Sequence, residues 1–256
     1  MKVLSHSPSG IHRTASVHPS AIIGEDVVIG AHTEIHPYAV IGSGTRLGIH
    51  CHVYPFAHVG SPPQIRDDKL GKGTLEVGDY NRFFQSCTVS VGCVTHGGVT
   101  RIGNQNLLMA YTHLGHDCVM GNGTTLANHA SLAGHVRIED CATIGGYAGI
   151  HQFVHIGQYS FIAANAMVSK DVPPFGMAAG DRAKLIGLNR KGLVRADLSV
   201  VEEKEVRRAF RHCFQQHAQN HVIQSEKWAK IFHEFISHSK RGVLKRHKDQ
   251  GKADPG

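Results

Sequence analysis

The sequence predicts an all-β solenoid, a parallel β-helix of hexapeptide repeats followed by an α-helical C-terminal region, and three observations carry that expectation. From Ile102 to Val168 an aliphatic or methionine side chain recurs at every sixth position, twelve times without a slip. From Leu108 onward the residue four places later is small or β-branched, from Thr112 and Cys118 through Ala148 and Val154 to Val172. The same frame runs earlier through Ile11, Val17, Ile23, Ile29, Ile35, Ile41, Leu47, Val53 and Val59. A helix repeats every 3.6 residues and an isolated strand every two, so a period of six fits neither; it marks a coil whose flat sides are single short runs. Three runs, about eighteen residues, make one coil.

Along the chain, glycine often follows the aliphatic position (Gly24, Gly30, Gly42, Gly48, Gly60), which reads as a corner wanting a backbone shape that a Cβ disfavours. The frame breaks at Ser61-Pro62-Pro63, resumes at Val77, Phe83 and Val89, and breaks again from Gly92 to Arg101. Loop insertions are therefore expected near 61–75 and 91–101, where a regular solenoid builds its binding surfaces. Asp171-Val172-Pro173-Pro174 is expected to end the coil, because two prolines cannot continue its hydrogen-bond ladder. The division that follows is a β-helix over 1–174 and a helical region with a basic tail over 175–256. In that region Ser199-Val200-Val201-Glu202 reads as a capping box leading into Val206, Phe210, Cys213, Phe214 and His217. Ser225 is expected to open a second helix with Trp228, Ile231, Phe232, Phe235 and Ile236 on one side. The 24 repeat positions give eight coils, and at about 4.8 Å per coil the prism stands about 38 Å tall. Its packed inside has no room for a ligand, so function belongs on the outer face or between prisms. Phe83, Phe84 and Tyr111 are read as exposed on one flank, which calls for partners and points to a trimer.

Composition narrows the setting. Hydrophobic residues make up 41% of the chain, no apolar run approaches the length of a membrane span, and Met1-Lys2-Val3-Leu4 leads at once into polar residues. A cytoplasmic protein with no stable membrane insertion is expected. Cys51, Cys87, Cys93 and Cys118 fall on inward positions, where a reduced thiol packs as a small hydrophobe. The net charge of +7 is uneven: residues 1–180 carry 10 Lys and Arg against 11 Asp and Glu, and residues 181–256 carry 17 against 9. The basic surface therefore belongs to the C-terminal part, and by itself it does not choose among nucleic acid, an anionic membrane face and an acidic protein.

Among the 21 histidines, the stacking rule singles out a few. Gly134 lies eighteen residues after His116, and so directly above it; by the same rule Gln152 lies above Gly134 and His135 above Asp117. One outer corner collects imidazoles, a carboxylate, an amide and a glycine N–H, which is a general base beside a candidate oxyanion donor. Successive strand residues point to opposite faces, so Asp117 can orient His116 only if the corner turns the chain or a neighbouring subunit intervenes.

The motifs His113-Leu114-Gly115-His116-Asp117-Cys118, Leu132-Ala133-Gly134-His135-Val136, Ile144-Gly145-Gly146, Ile150-His151-Gln152-Phe153 and Asp171-Val172-Pro173-Pro174 resemble those of the acyl-carrier-protein:UDP-N-acetylglucosamine O-acyltransferases that begin lipid A synthesis. The resemblance spans nearly the whole chain and is most specific from 102 to 195. It implies a left-handed β-helix, a homotrimer with active sites in clefts between prisms, acyl carrier protein and a UDP-amino-sugar as partners, and no cofactor or metal. Carried across, His116 matches the general base, Asp117 the carboxylate beside it and Gly134 the oxyanion N–H. His113, His135, His151 and Gln152 match residues of the acceptor and pantetheine cleft, Asn189 and Arg195 match polar positions linked to nucleotide and donor, and Ala164 and Arg182 fall where the acyl chain ends. A medium-length 3-hydroxyacyl group is the expected donor, since Ala164 leaves room whereas Arg182 closes the end unless its stem packs along the chain with its head in water.

Departures from the family pattern mark a somewhat divergent member. An Asp-x-Lys usual in the projecting loop is replaced here by Gln64 and the displaced Lys69, a His-Arg-Gly by Ser90-Val91-Gly92, and the acidic residue after Asn189 by Lys191. Two other readings share the fold. One is a zinc hydrolyase using His113, His116 and His135, and the other is a coenzyme A-dependent acyltransferase on another nucleotide amino sugar.

Overall fold

Each short strand pairs in parallel with the strand one coil on: Leu114 with Leu132, Leu132 with Ile150, Ile150 with Val168. The structure, a computed structural model, describes residues 2–3, 10–66, 73–95, 97–215 and 227–245. The strands form three sheets of nine, eight and ten members, the three faces of a β-helical solenoid. Face 1 runs from Lys2–Val3 to Met167–Val168, face 2 from Gly10–Ile11 to His155–Ile156, and face 3 from Ser16–Val17 to Gly176–Ala179 and Lys184–Leu188. The aliphatic frame fills the inside: Ile23, Ile41, Leu108, Leu114, Leu126 and Ile144 are all fully buried. Small residues of the frame, Ala130, Ala142 and Ala166 among them, are buried beside them.

The corners are turned by residues with positive φ at every sixth position, and most are not glycine. From Gln105 to Asn165 the series runs Tyr111, Asp117, Gly123, His129, His135, Cys141, Tyr147, Phe153 and Tyr159, with φ between 54° and 66°. This left-handed backbone costs an L-residue roughly 1–2 kcal/mol. Rings at these corners stack coil on coil, Tyr111 on His129 at 4.9 Å and His129 on Tyr147 at 4.4 Å, and such pairs contribute about 0.5–1.5 kcal/mol each. The two terms are of similar size, so an aromatic ladder offsets the strain of its own corners.

Most glycines after the aliphatic positions do something else. Gly24, Gly30, Gly42 and Gly48 are absent from the positive-φ residues, which corrects the expectation for these four, whereas Gly60, with φ 92°, meets it. The four sit where one coil touches the next. A Cβ on Gly30 would lie 2.5 Å from the Gly48 carbonyl group, so absence of a side chain, not backbone freedom, selects them.

The two frame breaks are insertions between paired strands. His58 pairs with Thr88, 30 residues on, and Thr88 with His113, 25 residues on, where an unbroken coil spans eighteen. Twelve and seven residues are thus looped out, and the pairing shifts register only between Val59 and Ser61, at the first insertion. Asn81 and Asn106 restart it as buried amides: Asn81 donates to the Gly78 and Gly103 carbonyls and accepts the Asn106 N–H, and Asn106 accepts the Thr124 N–H.

Two further expectations are corrected. Phe83 is fully buried, because it occupies an inward frame position, whereas Tyr111 is 57% exposed and Phe84 half-buried. Pro173-Pro174 do not end the sheet. They form a buried turn, after which Gly176–Ala179 continues face 3 in parallel with Phe161–Ile162, and Lys184–Leu188 closes it antiparallel.

Beyond the coil come α1 (Arg190–Arg195), α2 (Val200–Phe210) with a π-helical turn at Arg211–Gln215, and α3 (Lys227–His238). The capping box at the start of α2 is present, Ser199 and Glu202 each bonding the other's backbone. Val206 and Phe210 of α2 are buried with Trp228, Phe232 and Phe235 of α3, while Ile236 is 37% exposed; Ser225 and His217 lie outside the described residues. Asp171, 1% exposed, ties this block to the solenoid. Its carboxylate accepts the His155 N–H and the Ser239 hydroxyl, and its backbone pairs with Gly242 and Leu244. No helix among the described residues is long and apolar enough to cross a membrane. All six cysteines are free, four of them buried as expected, and burial pushes the Cys87 and Cys118 thiols up to about 12.

Close approach at the coil contacts is open to test. Gly30→Ala should destabilise the solenoid by about 1–3 kcal/mol, the usual range for overpacking, seen as a lower denaturation midpoint; an unchanged midpoint would show that adjacent coils yield freely.

Candidate active site

The corner between faces 1 and 2 is where chemistry concentrates. Strand His113–Leu114 leads to Gly115, which must be bare because a Cβ there would lie 2.7 Å from the Gly134 nitrogen. Asp117 then takes φ 57°. That turn answers the problem posed by strand alternation: it swings the carboxylate to the same side as the preceding imidazole, and His116 Nδ1 stands 2.7 Å from Asp117 Oδ2. The carboxylate is only 5% exposed and accepts the Cys93 N–H at 3.0 Å, while the Asp117 N–H donates to Thr100 Oγ1. The second insertion therefore supplies the cradle that fixes the aspartate. A carboxylate acceptor makes Nδ1 the protonated nitrogen and leaves Nε2 to act as acceptor.

Nε2 of His116 sits over Gly134. A Cβ at Gly134 would come within 2.6 Å of it, so any side chain there displaces the ring. At this repeat position the backbone N–H points outward, and elsewhere side chains take it: Asn104 donates to Asn122, Asn122 to Asp140, and Gln158 to Glu139. Among the described residues none accepts the Gly134 N–H. An aligned donor beside a basic nitrogen is the result.

Other histidines frame the corner. His135 lies one coil above Asp117, edge-on to His116 at 5.0 Å and stacked on Phe153 at 4.6 Å; its Nε2 is 4.0 Å from Asp117 Oδ2, too far for a hydrogen bond. His113 Nδ1 bonds Thr88 Oγ1 at 2.8 Å, and burial, with His116 nearby, holds its pKa below the ordinary 6.5. His151 Nδ1 lies 3.2 Å from both Arg241 Nη2 and the Gln152 carbonyl. One nitrogen cannot both accept and donate. Arginine is always a donor, so keeping that contact puts the proton of His151 on Nε2.

A cleft of about 810 Å³ opens over this wall, lined by Gln64, His113, His116, Gly134, Gln152 and Arg182 among others, with His151 beside them. A second, of about 720 Å³, lies beyond His135 and Phe153 against α3, with Glu139, His155 and Phe235. The structure thus gathers most of the expected site residues. Asn189 and Arg195 lie apart, at the corner between faces 2 and 3: Asn189 is 5% exposed and donates to the Tyr159 carbonyl, and Arg195 donates to the Cys141 carbonyl. Ala164 is exposed at the corner between faces 3 and 1. Lys69 lies outside the described residues. Sequence reasoning missed the Cys93 N–H and Arg241, both brought in across long stretches of chain. Ligand atoms of His116, Asp117 and His135 lie within 4.8 Å of one another and could hold a metal ion, but Oδ2 is already shared between His116 and the Cys93 N–H.

Residues 171–244 match the family described as Udp N-acetylglucosamine O-acyltransferase; Domain 2. A Thiobacillus denitrificans protein named acyl-[acyl-carrier-protein]--UDP-N-acetylglucosamine O-acyltransferase is 42% identical over 255 residues, covering 92% of this chain and 99% of that one. The crystal structure of Francisella novicida UDP-N-acetylglucosamine acyltransferase superposes with a TM-score of 0.82 at 32% identity, over 93% of this chain and 95% of that one. The Moraxella catarrhalis UDP-N-acetylglucosamine O-acyltransferase gives 0.77 at 34% identity, over 92% and 100%.

Buried imidazoles make a pH prediction. His113 and His58 are both lowered, His58 by burial alone. The unfolded chain therefore binds these protons more readily, so the contribution of these two neutral imidazoles is fully present above pH 6.5 and is lost progressively as pH falls below it. Denaturation midpoints should decline over that window, and His113→Asn should flatten the decline; a slope unaltered by the substitution would count against it.

Proposed function

The chain belongs to the UDP-N-acetylglucosamine O-acyltransferase family, and from that premise we propose that it moves a 3-hydroxyacyl group directly from the acyl carrier protein thioester to the sugar 3-position, the first step of lipid A synthesis. It is an acyl-[acyl-carrier-protein]:UDP-N-acetylglucosamine O-acyltransferase. The observation that carries the mechanism is the line Asp117, His116, Gly134 N–H. His116 Nε2 removes the proton of the 3-hydroxyl as that oxygen attacks the thioester carbonyl. Charge on the carbonyl oxygen meets the Gly134 N–H. When the C–S bond breaks, the proton held by His116 passes to the leaving sulfur, and Asp117 stabilises the imidazolium in between. A thioester is already activated, so no covalent enzyme intermediate is needed, and the buried Cys118 thiol, pushed up to about 12, is no nucleophile.

In this reading the coil is left-handed and the enzyme a cytoplasmic homotrimer. Asn189 and Arg195, a prism face away from His116 in their own protomer, complete a neighbour's cleft. Arg182, in the cleft wall, closes the acyl groove to long chains, whereas the exposed Ala164 leaves room. The zinc hydrolyase reading is supported by the His116, Asp117 and His135 cluster, but Asp117 is better accounted for as the partner of His116. Family membership likewise favours the carrier-protein donor over coenzyme A.

Product mass spectrometry with a panel of acyl carrier thioesters, UDP-N-acetylglucosamine and its 3-amino analogue tests the assignment. His116→Ala should reduce turnover by about 10²- to 10⁴-fold while trimeric mass and donor binding persist. Retention of more than about a tenth of the rate would move the base to His113 or His135. Acyl carrier proteins are acidic, and Arg182, Lys184, Arg190, Lys191 and Arg195 are all exposed. Reversing charge at Arg190 and Lys191 should weaken carrier affinity and its salt dependence; unchanged affinity would exclude this docking surface.

A further inference from the structure

On face 3, two coils from the N-terminal end, Glu34 and His52 are register partners, and His36 follows two residues after Glu34. Glu34 Oε2 lies 3.4 Å from His52 Nδ1 and 3.7 Å from His36 Nε2, and all three ligand atoms are within 4.8 Å of one another. Tetrahedral zinc with bonds of about 2.0–2.1 Å needs ligands about 3.4 Å apart, so two edges of the triangle are already set. The rings are held in place: His36 stacks on Tyr54 at 4.8 Å and 10°, and His52 lies 6.4 Å from the same ring. His36 Nε2 is sealed from solvent with no hydrogen-bond partner among the described residues, although the ring as a whole is partly open. A sealed imidazole nitrogen facing a carboxylate lacks the partner that buried polar atoms nearly always have.

The structure assigns a divalent transition-metal site to Glu34, His36 and His52. Two imidazoles and one carboxylate suit zinc, cobalt or nickel and not magnesium or calcium, which prefer oxygen. Glu34 is half exposed, so water completes the coordination. Arg82, the register partner of His52 one coil further on, is exposed, and solvent screening limits its repulsion of the ion. The metal would clasp two successive coils near the N-terminal end, and it is separate from the His116 corner.

The test is titration of metal-free trimer with Co²⁺, followed by visible absorption, then displacement by Zn²⁺. One cobalt per chain is expected at this site. His52→Ala and Glu34→Gln should each weaken it by more than the 10- to 100-fold that loss of an outer-shell partner alone costs. His116→Ala should leave the spectrum intact, and His52→Ala should leave acyl transfer intact. Matched metal-free denaturation midpoints establish that the variants are folded. Absence of a cobalt band, its survival in His52→Ala, or its loss in His116→Ala overturns the assignment.

Discussion

The hydrogen-bond ladder between successive coils is the constraint on which everything else rests. In a β-solenoid the strand N–H groups find their carbonyls in the adjacent coil, as Gly115 does in Leu132 and Ala133 in Ile150. Side chains at one repeat position are therefore held a strand spacing apart, whatever their chemistry. That spacing suits ring on ring, as in the Tyr111, His129, Tyr147 ladder, and amide on amide, as in Asn104 and Asn122. It also explains the bare glycines, since backbone meets backbone too closely for a Cβ. The His116 corner obeys the same rule: an imidazole on one coil and an N–H on the next fall into register without a loop to position them.

What sequence could read followed from periodicity. The frame located the interior, and counting eighteen placed Gly134 over His116 and His135 over Asp117. The capping box at Ser199 was equally plain, because it is a local pattern. Legibility failed where the deciding contact was not periodic. Most left-handed residues at the corners are Tyr, His and Phe, which advertise no turn, so the glycines beside them drew the assignment instead. Phe83 was misjudged although its frame position faced inward. The amide of Cys93 reaches Asp117 through an insertion whose path no repeat dictates, and Arg241 reaches His151 from 90 residues away.

The interrupted coils divide the labour between constancy and adjustment. Ladder positions set the distance between His116 and the Gly134 N–H, while the insertions reach the same corner from outside. The first carries Gln64 into the cleft and the second holds Asp117. His116 and Gly134 both lie beyond these insertions, on coils whose strands pair at the regular spacing of eighteen, Leu114 with Leu132.

The antiparallel strand Lys184–Leu188 at the end of face 3 has a bearing on colloidal behaviour. A stack of parallel strands exposes, at its last member, an edge that would template another molecule, and unlimited end-to-end polymerisation is the standing hazard of such folds. Reversing the final strand presents the opposite hydrogen-bond polarity and shifted side chains, with a register irregularity at Met177 and Ala178. Leu185 is in turn bonded to Lys245, and Asp171 to Gly242 and Leu244. The C-terminal segment acts as a stopper, and a chain cut before residue 184 should be judged first as a fibre former and only then as an enzyme.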